Sequence, residues 1–161
     1  MDSRLEQLAS ELFSQADAGV PNPAKIEPKL LPHMFMLDIE RDKIDSKKLQ
    51  LRVRLAGNAV DRIVGRSSKS MILENFVHGP RGSLVIDGFH HCADTHEPLW
   101  MRQVVLIEGK LPRFVEGIAI YFEPERICGG LVAEDLTEDL PSGRFERQVL
   151  SRPEQAASPI L

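Results

Sequence analysis

The chain has 161 residues, 42% of them hydrophobic and 27% charged, which is the balance of a globular protein with material for one sizeable core. Its 20 basic and 24 acidic side chains leave a net charge of −4, so it lacks the basic excess that displaces counterions from nucleic acid, and nucleic acid is not an expected partner. The two cysteines, Cys92 and Cys128, are too few for a disulfide framework and form no C-x-x-C pair, which fits a reducing, cytoplasmic setting.

The opening residues MDSRLEQLASELF are acidic and polar, unlike a secretory leader, and no stretch approaches the ~20 apolar residues that span a bilayer, so membrane insertion is not expected. Ser3 and Glu6 have capping-box spacing, and Leu5, Leu8, Ala9, Leu12 and Phe13 follow at helical intervals, which predicts a short amphipathic helix. The prolines of GVPNPAKIEPKLLP predict an extended linker, so residues 1–30 read as a helix tethered to the body that follows. A helix this short is not stable alone. The stripe of Leu5, Leu8, Leu12 and Phe13 must be buried on its own sheet or on a second subunit.

From Met34 the period becomes two. MFMLDI predicts a strand, and LQLRVRL a second one with Leu49, Leu51, Val53 and Leu55 on one face and Gln50, Arg52 and Arg54 on the other, so one sheet face is expected to be wet. Asn58 can cap a helix start, Asp61 follows in its first turn, and Gly65 stands where a left-handed terminating residue belongs, giving the short helix AVDRIV. SSKSMILENFV reads as a further short helical or irregular stretch. PRGSLVIDGFHHCA predicts a helix with proline near its first turn and an apolar stripe of Val85, Ile86, Phe89, Cys92 and Ala93. Two longer strands, LWMRQVVLIE and RFVEGIAIYFE, are separated by a turn at Gly109. A last strand, ICGGLVA, reads as an edge whose glycines allow close backbone approach. Residues 134–161 mix charge, proline and serine and are expected to be a poorly ordered or loosely docked tail.

Hairpins at both ends, with no helix between successive strands, predict an antiparallel sheet with helices gathered on one side, the α+β class. The run LQLRVRLAGNAVDRIVGRSS, a strand passing straight into an Asn-led helix that ends at Gly65, resembles the start of a PAS domain, and the later long antiparallel strands resemble its closing meander. LRVRLAG, FVHGP and GFHHCADTHEPLWMR are similar to stretches of the free-standing PAS-like proteins of alphaproteobacteria. The resemblance runs from about Leu31 to Val132. It implies a PAS-like five-stranded antiparallel sheet with short helices on one face over residues 31–133, preceded by the N-terminal amphipathic helix. Two departures stand out: YFEPER replaces the Asp-Ile-Thr ending through which many PAS domains pass a signal onward, and no glycine occurs between Gly65 and Gly79. Because N-terminal helices of PAS proteins often form dimer contacts, the resemblance also implies a homodimer through Leu5, Leu8, Leu12 and Phe13.

The stretch GFHHCADTH holds His90, His91, Cys92 and His96, residue types that bind zinc and haem. On a helix, however, residues step by about 100°, so with Val85 at zero, Phe89 falls at about 40°, His90 at about 140°, His91 at about 240° and Cys92 at about 340°. Three consecutive residues thus cannot reach one ion. Cys92 is expected in the core, His91 opposite the stripe near Asp87, and only His90 on a flank that can face a pocket. A Cys92–His96 chelate would need the helix to run through THEP, which Pro98 opposes. Haem-binding PAS sensors place an axial histidine on a comparable helix, so the resemblance makes His90 or His91 the haem candidate, although no cofactor is required by the residues themselves. The Asn-Cys-Arg-Phe setting of flavin-binding, light-sensing relatives is absent.

Neither G-x-S-x-G, H-E-x-x-H, a Walker loop nor G-x-G-x-x-G occurs. Trp100 and Arg102 share one face of their strand, opposite Leu99, Met101 and Gln103, and could wall a site for an anionic aromatic ligand; alternatively the arginine simply covers the indole. Glu116 shares a face with Phe114 and Ile118, where an unpaired buried carboxylate would be costly. The candidate ligand-binding residues are therefore Phe89, His90, Cys92, Trp100, Arg102 and Glu116. Together with the resemblance they imply a non-catalytic bacterial sensor or adaptor that acts on other signalling proteins and holds a small molecule between sheet and helices. A small enzyme with His90, Glu116 and Arg102 converging as base and anion clamp is the alternative, and a haem or metal sensor a further one. An enzyme pocket gathers titratable side chains, whereas a sensor or adaptor pocket is mainly apolar, small or absent.

Overall fold

The first helix, α1 (Ser3–Ala16), forms where the apolar spacing predicts it, but its cap is Asp2, whose carboxylate accepts from the Arg4 backbone N–H at 2.9 Å, and Ser3 is already helical. In the computed structural model, which describes residues 1–77, 79–105, 113–135 and 145–152, this helix is not a tethered appendage. Leu5, Leu8 and Leu12 are 0% exposed and Phe13 is 5% exposed, all buried against the chain's own sheet with Ile118, Ile120 and Phe122. Each such leucine contributes ~1.5–3 kcal/mol of burial. The stripe is thus covered within the single chain, which corrects its assignment as a dimer or partner contact. The expected extended linker is instead two 3-10 turns, Pro23–Lys25 and Pro28–His33, which start with prolines and bury Ile26 and Leu30.

The sheet is antiparallel and has six strands where five were expected: β1 (Met34–Arg41), β2 (Leu49–Ala56), β3 (Leu99–Val105), β4 (Arg113–Phe122), β5 (Arg126–Asp135) and β6 (Glu146–Val149), in the spatial order β2-β1-β5-β4-β3-β6. The sixth comes from the expected tail, where Glu146 through Val149 pair with Arg102 through Leu99. The remainder of that tail, residues 136–144 and 153–161, and the turn at Gly109 lie outside the described residues. ICGGLVA, expected at an edge, is the core of β5, which lies between β1 and β4. A Cβ at Gly130 would stand 2.5 Å from Leu8 Cδ2 and 3.3 Å from Leu5 Cδ2, so the missing side chain is what lets α1 sit down on the sheet.

On the opposite face lie α2 (Asn58–Val64) and α3 (Gly79–Thr95), so helices cover both faces of an α+β unit. Asn58 is the first helical residue and Gly57 the cap, whereas Gly65 terminates α2 at φ +85° as its position predicts. The alternation of β2 breaks near its end. Met36 pairs with Leu55 but Leu37 with Val53, a bulge that turns Leu55 onto the α1 face, away from Leu51 and Val53. The expected wet surface survives beyond the reach of α1, where Asp38 binds Arg54 and Arg126 at 3.2 and 3.1 Å and Glu40 binds Arg52 at 2.9 Å. Among the described residues no helix is long and apolar enough to cross a membrane.

Candidate ligand-binding site

Helix α3 is fixed at its C-terminal end. Arg41 donates to the Ala93 carbonyl at 3.1 Å and to Asp94 at 3.0 Å, and Phe89 meets Phe35 edge-on with centroids 5.7 Å apart. The helix stops at Thr95, as Pro98 demands, and His96 stacks on Tyr121 with centroids 3.5 Å apart. Cys92 and Ala93 are buried on the sheet beneath this half. Toward its N-terminal end, α3 carries Gly82 and Val85 over the sheet, facing Val60 of α2 across a floor of Val53 and Val115. Larger side chains, Phe35, Phe76 and Met101 among them, also line the gap without filling it. What remains is a cavity of about 640 Å³, within the size of a small-molecule site.

Among the described residues the lining is apolar except for Ser68, Arg102 and Gln103, and no histidine, cysteine or carboxylate takes part. Of the six expected site residues, only Phe89 and Arg102 line this cavity. His90 is on the flank, as the helical projection predicts, but it is engaged: its Nε2 lies 2.9 Å from Glu74 Oε1, whose carboxylate also accepts from the Leu51 backbone N–H at 3.1 Å. Burial alone would raise the Glu74 pKa; the hydrogen bonds from His90 and Leu51 outweigh it and hold the carboxyl below its usual range. His91 is half-buried beside Glu97 at 3.5 Å and not paired with Asp87.

Cys92 is fully buried with its Sγ 3.8 Å from the Ala119 carbonyl, and burial pushes its thiol up to about 12, a poor ligand and a poor nucleophile. Cys128, on the α1 face, is likewise pushed up to about 12 by burial. With His96 stacked on Tyr121, no Cys92–His96 chelate forms. Among the described residues no three His, Cys, Asp or Glu side chains gather as a metal site. With Glu74 on His90 and no described histidine in the lining, these residues do not fit the axial ligation of a haem in the cavity.

Trp100, Glu116 and the guanidinium of Arg102 belong to the other side of the sheet. Trp100 packs in the α1 core, Glu116 accepts from Trp100 Nε1 at 3.0 Å and from the Asp2 backbone N–H at 3.2 Å, and this pairing answers how the carboxylate is satisfied. Arg102 covers the indole at 5.4 Å and the Phe114 ring at 5.3 Å while its guanidinium grips Glu146 at 2.7 and 2.9 Å. Trp100 and Arg102 do line a smaller hollow of about 460 Å³ with Met1 and Gln148, but the arginine's charge is already matched by Glu146. The sheet itself separates His90 from Glu116 and Arg102, so the convergent base and anion clamp does not form.

Most of the lining was absent from the candidate set, including its polar members Ser68 and Gln103; Gln103 was legible as a polar residue in line with Leu99 and Met101. No protein-family model matches the chain, and no match is found among curated proteins or solved structures.

Proposed function

We propose that the chain is a non-catalytic sensory module of PAS type, which holds a small apolar molecule between sheet and helices and conveys its presence to another signalling protein. The observation that carries this proposal is the cavity of about 640 Å³ whose described walls are mainly apolar and hold no histidine, cysteine or carboxylate. A site of that size and lining can bind by burial of apolar surface, and its one described hydroxyl, that of Ser68, is engaged by Asp61. Supporting the type, β2 runs directly into α2 with its left-handed Gly65, and β3, β4 and β5 form the long antiparallel meander the resemblance implies. Helix α3 suits the signalling part. Its C-terminal half is bolted to Arg41 and Phe35, its N-terminal half spans the cavity, and Leu84 on that half is exposed at the surface.

The test is direct. Nile red, a neutral apolar dye, is titrated into the protein and into Val85→Trp, which fills the cavity from α3. Native mass spectrometry of freshly purified protein looks for a retained small molecule. Saturable Nile red binding that Val85→Trp abolishes without unfolding the protein is expected. Unchanged binding in that variant would place the dye elsewhere and remove the support for a cavity-based sensor.

A further inference from the structure

The polar groups on the cavity wall differ in what they have left to offer a ligand. Ser68 donates from Oγ to Asp61 Oδ1 at 2.7 Å and from its backbone N–H at 3.1 Å, so its donors are used within the protein. Arg102 turns its guanidinium over Trp100 and Phe114 on the other face of the sheet and grips Glu146 there. Gln103 is different. It sits on β3 opposite Val115, on the side of Leu99 and Met101, and lines the cavity among apolar neighbours. Its Oε1 is enclosed by the protein, out of reach of anything in the cavity, so the atom the amide presents is Nε2, which has no acceptor among the described residues. This orientation is the less costly one, because an enclosed carbonyl oxygen without a partner is tolerated more often than an enclosed N–H. The wall thus carries an amide donor with two N–H groups and no described residue to receive them.

Resting on the ligand-binding proposal above, we propose that Gln103 selects the ligand by donating from Nε2 to a neutral oxygen acceptor, so that the molecule held is an otherwise apolar ketone, ester or lactone. A pure hydrocarbon would leave the N–H groups unpaired in a site it has emptied of water, and a donor desolvated without a partner is costly. A carboxylate or phosphate could accept the same bond, but it would have to shed its hydration beside apolar walls, and the one described cation in the lining, Arg102, is already bound to a carboxylate. A ligand whose polar group only donates meets no free side-chain acceptor in the described lining, because the Gln103 Oε1 is enclosed and the buried Ser68 hydroxyl is held by Asp61. The chemistry that remains is an uncharged carbonyl on a hydrocarbon frame.

The probes are 4-pentylacetophenone and 4-pentyl-α-methylstyrene, which differ by the exchange of the carbonyl oxygen for a methylene of similar shape, with 4-pentylbenzoate as the anionic control. Each is measured by displacement of Nile red, whose own affinity is determined first, from the wild-type protein and from Gln103→Met, which keeps an unbranched side chain of similar length without the donor. The ratio of ketone to alkene affinity is expected to fall about five- to tenfold from the wild type to Gln103→Met, with alkene affinity kept. Comparing the two ratios cancels the difference in hydration between ketone and alkene. Should the variant fold poorly, the wild type gives a second readout: the infrared carbonyl band of bound 4-pentylacetophenone is expected below its position in cyclohexane, toward its position in alcohol. The benzoate is expected to bind more weakly than the ketone. An unchanged ratio in Gln103→Met, or a carbonyl band at its cyclohexane position, overturns the role of Gln103 while leaving the apolar cavity intact, and a benzoate that binds more tightly than the ketone overturns the choice of a neutral ligand. Failure of every probe, Nile red included, to bind the wild type overturns the cavity proposal itself.

Discussion

On the α1 face of the sheet, Leu5, Leu8 and Leu12 come down onto Gly130 and are wholly buried, while on the α3 face Val53, Val60, Val85 and Val115 surround about 640 Å³ that they do not fill. The same strands serve both faces, so the difference lies in the helices. α1 is a continuous amphipathic helix lying along β4 and β5, and its long side chains meet a strand from which the side chain has been removed. Opposite, α2 and α3 leave a gap over the sheet, and α3 is tied to Arg41 at its C-terminal end. One face supplies cohesion, which lets the other keep a void that a close-packed core would not tolerate.

Matched truncations test that contrast most strongly. Leu8→Ala removes atoms from a filled layer and is expected to cost about 2–5 kcal/mol, read as a lowered urea midpoint. Val85→Ala trims a half-buried side chain already facing empty space and is expected to cost about 1 kcal/mol or less. Comparable losses at the two sites would mean that the faces are packed alike. Next in size is Gly130→Ala, whose added Cβ meets Leu8 Cδ2 at 2.5 Å and the His33 carbonyl at 3.1 Å. A loss of about 1–3 kcal/mol is expected, with Nile red affinity unchanged because the strain falls on the filled face.

A smaller effect belongs to the cavity face. Glu74 ties the β2 backbone at Leu51 to His90 on α3, and these bonds keep its folded pKa below the usual value. A carboxyl with a depressed folded pKa contributes stability that is complete above its unfolded pKa, about 4.3, and disappears as pH falls through the lower folded value. Glu74→Gln is therefore expected to cost about 1–2 kcal/mol at pH 7 and progressively less as pH falls through the folded pKa, measured by urea denaturation at a series of pH values. A difference that stays constant over that range would show that the carboxylate's charge does not matter.

The contrast between the faces explains which features could be read from the chain. The α1 stripe, Gly65 and the Phe89–Cys92–Ala93 line are local periodicities, and each lies where its spacing puts it. Periodicity does not say on which side of a sheet a helix will lie. His90, Glu116 and Arg102 therefore looked able to converge when the sheet stands between the first and the other two. The bulge at Arg54 and the pairing of β6 with β3 depend on partners distant in sequence, and GRFERQVL carries too weak an alternation to announce a strand. A cavity is the absence of side chains among several elements, and no single segment encodes it; Gln103, a polar residue on an inward strand face, was its one visible trace.

The weakest contact bearing on the comparison is the pair Arg102–Glu146, with side chains 39% and 36% exposed, which joins β3 to β6. Exposed pairs of this kind contribute about 0.2–1 kcal/mol, and a double-mutant cycle of Arg102→Ala and Glu146→Ala is expected to return a coupling in that range. β6 is held mainly by its backbone ladder to β3, in which Leu99 through Arg102 each have a partner. Arg102 also loses its cover of Trp100 and Phe114 when truncated, so its single substitution should cost more than that of Glu146. Because Phe145, at the entrance to β6, lines the cavity, Nile red affinity reports whether the strand has moved. Less than a twofold change in Glu146→Ala is expected if the ladder holds β6; a larger loss would mean that the ion pair on the α1 face positions a wall of the cavity on the other.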